Sequence, residues 1–188
     1  MRILFTATLL FSISSFVAGQ ICSAPGQTPS TAFPVCGTSI FQQNTVPICA
    51  SHQLVVPGCS GTPTSANYQD KNPYWYKFTC YQSGTLGFLV SPLDKGDDYD
   101  WQLFDVTGHS PDDVFTDRSL FVCRNWSGEG GVTGASGAGT SLQECGGMGV
   151  PLWSSMPNLI QGHEYLLLLS HFTSEGQSGY DLEFTGGT

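Results

Sequence analysis

The stretch that decides the fold is "NPYWYKFTCYQSGTLGFLVSPLDKGDDYDWQLFD", residues 72–105. Its first part, "PYWYKFTCYQ", is rich in aromatic and β-forming residues and reads as a strand. Tyr74, Tyr76, Phe78 and Cys80 share one face by alternation, so Cys80 is expected in the core as an unpaired cysteine. The turn residues "SGT" lead into "LGFLVSP", which predicts a hairpin of these two strands. "DYDWQLFDV" is a third strand. Alternation puts Tyr99, Trp101, Leu103 and Asp105 on one face and Asp98, Asp100, Gln102 and Phe104 on the other.

Further along, "SLFVCRN" (119–125) reads as a fourth strand, and "SGYDLEF" (178–184) closes the chain. Between them "HEYLLLLSHF" (163–172) is apolar on both faces at its centre. A helix also fits that periodicity, but the flanking glycine-containing turns favour a central strand. Residues 126–150 are glycine-rich without apolar period and read as a long loop. Residues 20–70 are rich in Pro, Ser, Thr and Cys and read as a stapled segment with long connections, packed on the rest. About seven to nine short strands without an amphipathic helix predict an all-β protein: a two-sheet, jelly-roll-like β-sandwich with a long Gly-rich loop. The expected organisation is a leader over 1–19, a Cys/Pro-rich segment over 20–70 and a sandwich over 71–188, the last two forming one folding unit.

The leader is a secretory signal. Arg2 precedes the apolar Ile3–Leu10 and Phe11, and Val17 and Gly19 are small enough for the cleavage positions, giving a mature start at Gln20. The apolar run is shorter than the ~20 residues of a membrane span. A secreted, extracellular or cell-surface location follows. A formal charge of −9 with six basic residues speaks against nucleic acid and anionic membranes as partners. Export permits disulfides among the seven cysteines. Without C-x-x-C, structural zinc is not expected. The economical pairing is Cys22–Cys36, Cys49–Cys59 and Cys123–Cys145.

Eight of the fifteen acidic residues fall between Asp94 and Asp117. Carboxylates so placed cap turns and strand ends, or ligate calcium. The spacing favours capping. The EF-hand pattern fails, because Gln102 stands at the third ligand position and Leu103 where glycine is required. Asp98 and Asp100 could also serve as a glycosidase pair, a weak signal shared by many strand neighbours. Catalytic motifs fail elsewhere: Leu167 replaces the second histidine of H-E-x-x-H, and "GASGA" is not a nucleophile elbow. Trp126 and Trp153, read as loop residues, are the candidates for stacking on a glycan. "NWS" at Asn125 matches the N-glycosylation sequon.

The 72–105 stretch together with "GHEYLLLLSHFTSEGQSGYDLEF" resembles the bacterial pre-peptidase C-terminal-like domain. It is most similar to the N-terminal domain of secreted Bacteroidetes surface proteins associated with gliding motility and type IX secretion. The resemblance covers residues 72–105 and 162–185. It implies a non-catalytic sandwich in an adhesive, accessory or spacer role, as part of a longer polypeptide with downstream domains. It also implies calcium (Ca2+) near Asp97, Asp98 and Asp100. The expected partner is a cell-surface or extracellular glycan or protein, with a carbohydrate-binding module using Trp126 and Trp153 as the alternative.

Overall fold

A computed structural model describes residues 22–37, 39–46, 48–49, 52–59, 68–172 and 178–187. The expected leader and cleavage site lie outside these residues. The strands are β1 (Phe33–Pro34), β2 (Phe41–Gln43), β3 (Tyr74–Thr79), β4 (Gly84–Pro92), β5 (Tyr99–Asp105) and β6 (Phe121–Ser127), followed by β7 (Thr133–Ala135), β8 (Gln143–Gly147), β9 (Trp153–Ser154), β10 (Asn158–Leu159), β11 (Glu164–His171) and β12 (Tyr180–Gly187). One sheet has the order β1-β3-β11-β5-β6-β8 and the other β2-β12-β4-β7-β9, with β10 paired to β4. The chain is the expected two-sheet β-sandwich. Its helical pieces among the described residues are short 3₁₀ turns, and no helix there is long and apolar enough to cross a membrane.

The core between the sheets is built by the alternation that the sequence displays. Tyr76, Tyr99, Trp101, Leu103, Leu167 and Leu169 of the first sheet meet Phe88, Val90, Tyr180 and Leu182 of the second. The hydroxyls of Tyr76 and Tyr180 satisfy each other across this dry layer at 2.8 Å. A second apolar cluster lies on the outer face of the first sheet, where Trp75, Phe104, Leu166 and Leu168 pack under Ala32, Leu54, Tyr68, Val106, Val114 and Leu120. The N-terminal segment therefore roofs the first sheet. That roof is why β11 is apolar on both faces: Leu167 and Leu169 point inward, Leu166 and Leu168 toward the roof.

Three expectations are corrected. β3 and β4 do not form a hairpin: β3 pairs with β11 and β1, while β4 pairs with β12, β7 and β10. The "SGT" turn carries the chain from one sheet to the other. The Gly-rich 126–150 region is not one loop, since it contains the end of β6 and all of β7 and β8. Gly134 explains why β7 needs glycine. Its φ is +148°, and a Cβ there would overlap the Phe88 carbonyl oxygen of β4.

The third correction concerns the cysteines. Cys22 is joined to Cys49 and Cys59 to Cys145, with Cα–Cα distances of 5.4 and 5.6 Å. None of the pairs Cys22–Cys36, Cys49–Cys59 and Cys123–Cys145 forms. Pairing nearest neighbours assumes local loops, whereas the roof returns Cys59 to β8, 86 residues away in sequence. Cys36 is free and exposed, and Cys123 and Cys80 are free and buried. Cys80 thus has the place that alternation assigned to it.

Candidate binding pocket

The acidic stretch divides at Asp98. Asp97 turns toward the closing strand: its Oδ2 accepts from the Ser178 backbone N–H at 3.2 Å and lies 3.4 Å from His171 Nε2. Asp98 and Asp100 point to the outer face of the first sheet, where the roof ends. There they line a cavity of about 270 Å³ with Tyr68, Trp126, Phe172 and a glycine rim. The three expected calcium ligands therefore do not converge. Successive residues of an extended chain face opposite ways, and no group of three His, Cys, Asp or Glu that could hold a metal occurs among the described residues.

Each wall comes from a different segment. Tyr68 belongs to the end of the roof, and its hydroxyl accepts the Gly146 N–H at 2.9 Å. Its ring meets Trp126 edge-on, with centroids 5.3 Å apart. Trp126 lies in β6, and its indole N–H donates to Gln102 Oε1 at 3.1 Å. Gln102 in turn donates to the Val55 carbonyl at 3.1 Å, fastening the roof to β5. Phe172 follows β11, and its N–H donates to the Asp98 carbonyl at 3.0 Å. Gly128 and Gly147 are joined by an N–H···O bond of 2.9 Å at the rim, and Met148 stands exposed beside them.

The floor is unusual in its electrostatics. Asp98 and Asp100 are 9% and 4% exposed, and Oδ1 of each has no hydrogen-bond donor. Burial pushes the Asp98 carboxyl up to about 7, with the Glu129 charge adding and Lys71 opposing. Burial likewise raises Asp100 well above the ordinary carboxylate range, with Asp98 adding and Lys71 again opposing. Lys71 is not bonded to either carboxylate in this arrangement. Its ammonium donates to the Phe172 carbonyl at 3.4 Å and sits 4.2 Å from the centroid of that ring.

The tryptophans expected to stack on a glycan are not exposed loop residues. Trp126 is 2% exposed within β6 and serves as a pocket wall. Trp153 is half-buried in β9, on the other sheet, and does not line this cavity. The sequon is closed as well: Asn125 is buried, and its Nδ2 donates to the Pro151 carbonyl at 3.0 Å and to Ser154 Oγ at 3.2 Å. Tyr68 is among the aromatic residues that the sequence offers for a glycan platform, but nothing in it places Tyr68 beside the acidic pair, and Phe172 was not singled out. The one local signal for Phe172 is an aromatic residue directly after a strand with an apolar centre.

The chain matches no family model, no curated protein and no solved structure. The pocket must therefore be interpreted from its own chemistry. Its lining combines the Asp98 and Asp100 carboxyls and Ser127 with the rings of Tyr68, Trp126 and Phe172 and a rim of glycines and Met148.

Proposed function

We propose that the chain is an exported, non-catalytic β-sandwich module of a larger cell-surface protein, with an adhesive or accessory role, and that the Asp98–Asp100 pocket receives its ligand. The observation that carries this reading is the pair of buried carboxylates, each with an oxygen lacking a donor, beneath three aromatic rings. Leaving a buried acceptor unmade costs about 1–3 kcal/mol. A ligand that supplies donors offsets that cost.

Two disulfides support export, because such bonds persist in oxidising compartments. The leader-like residues 1–19 and the resemblance to pre-peptidase C-terminal-like domains support the same reading. A binding role is further supported by the histidines. Each stands beside a carboxylate outside the pocket: His52 by Asp70, His109 by Asp113, His163 by Asp105 and His171 by Asp97. The partner is then an extracellular glycan or protein.

The test is an array of glycans and cell-surface proteins probed with the intact chain and with Asp98→Asn and Asp100→Asn. The expected result is a ligand whose binding both substitutions weaken. Absence of binding, or binding indifferent to both substitutions, would overturn the assignment. Turnover of a polysaccharide or peptide by the chain would overturn its non-catalytic part.

A further inference from the structure

The pocket sets two buried acidic side chains at the floor of a cavity walled in part by aromatic rings. We propose that it takes a small organic ammonium group, held by the Asp98 and Asp100 carboxylates and enclosed by Tyr68, Trp126 and Phe172. This deepens the assignment of the pocket as a binding site and rests on it.

Charge selects a cation. The Glu129 charge acts on Asp98 and the Asp98 charge on Asp100, and Lys71 opposes both. Without a ligand the floor is relieved by keeping its carboxyls protonated. An incoming positive charge makes the ionised pair favourable and fills the open valence of each Oδ1.

Shape and wall chemistry select an organic cation over a metal ion. Calcium takes about six to eight oxygen ligands. The floor offers two carboxylates, no third carboxylate lines the cavity, and much of the remaining wall is aromatic ring. Aromatic faces do attract alkylammonium groups, and the gain grows where water is excluded. Phe172 already accepts such a contact from the Lys71 ammonium. The volume of about 270 Å³ suits a head group and a short alkyl stem.

The experiment is calorimetric titration of the full chain with n-butylammonium, tetramethylammonium, tert-butyl alcohol as the neutral control, and calcium chloride. One-to-one binding of at least one ammonium is expected, with the alcohol not binding. Asp100→Asn or Asp98→Asn is expected to weaken it about tenfold or more. Lys71→Met, which removes the competing charge, is expected to strengthen it. Asp112→Asn, an exposed acid outside the pocket, leaves it unchanged. The two ammonium ions tell an amine-bearing ligand from a quaternary one. A thermal melt of each variant checks folding, and Lys71→Met reports in the opposite direction to the Asn variants.

Binding of calcium alone, equal binding of the alcohol, or Asn variants that bind as well as the parent would each overturn the proposal. Failure of both ammonium ions alongside an Asp100-dependent hit on the array sinks the ammonium assignment and leaves the module standing. Failure in both assays removes both.

Discussion

Asp98 and Asp100 make the fold sensitive to pH in a direction opposite to most carboxylates. Their folded-state affinities for the proton are raised by burial, so their contribution to stability is fully present below the ordinary carboxylate range. It is lost as pH rises through the folded value, about 7 for Asp98. Asp70, raised to about 6 chiefly by burial against the bonds it receives from His52, adds to the same fall. Asp105 works the other way. Burial alone would raise its carboxyl, but bonds from His163 and Thr107 outweigh this and hold it below its ordinary value. Its contribution is present above the ordinary carboxylate range and lost as pH falls. The melting temperature is therefore expected to decline from about pH 5 to about pH 8, and Asp98→Asn to flatten the upper part of that decline. A melting temperature constant across this window, in parent and variant alike, would refute the assignment of buried charge.

At the scale of the element, β7 shows how a strand can exist without a side-chain pattern. It pairs with β4 through Leu89↔Gly134 and Phe88↔Ala135, and the close approach is possible only because Gly134 carries no Cβ. Gly134→Ala is expected to cost about 1–3 kcal/mol or more in urea denaturation, through both the positive φ and the overlap with Phe88. A variant as stable as the parent would show that β7 shifts freely.

The same strand marks the limit of what could be read from sequence. β3, β4, β5, β6, β11 and β12 were legible because aromatic and aliphatic residues alternate or run through them. β7 and β8 were not, because glycine strands have no hydrophobic period. The turn at Ser83 and Gly84 was legible as a turn, but turn residues specify reversal and not which sheet the next strand joins. In the pocket, Asp98 and Asp100 were placed on one face by alternation alone. Tyr68, Trp126 and Phe172 come to them from three distant segments, and nothing local in the chain records that meeting. Trp126 was misjudged because a strand that ends among glycines looks like a loop.

For the molecule as a whole, the roof is what the crosslinks secure. Cys22–Cys49 closes the roof on itself, and Cys59–Cys145 ties it to β8 over 86 residues. Cys59→Ser combined with Cys145→Ser is expected to lower the free energy of unfolding by about 2–5 kcal/mol. It should also weaken pocket binding, since Tyr68 follows Cys59 and bonds to Gly146. Peptide mapping of the native protein should recover Cys59 linked to Cys145. Finding Cys123 linked to Cys145 instead would overturn this arrangement.

The buried Asn125 has a bearing on how the protein can be made. Its amide is engaged by Pro151 and Ser154 in the folded chain. An oligosaccharide attached there during translocation would occupy the place that β9 takes beside β6, leaving the sandwich unable to close. A host whose secretory route glycosylates nascent chains would convert part of its output into trapped, misassembled product. A host without that machinery, or a gene carrying Gln at this position, avoids that loss before folding begins.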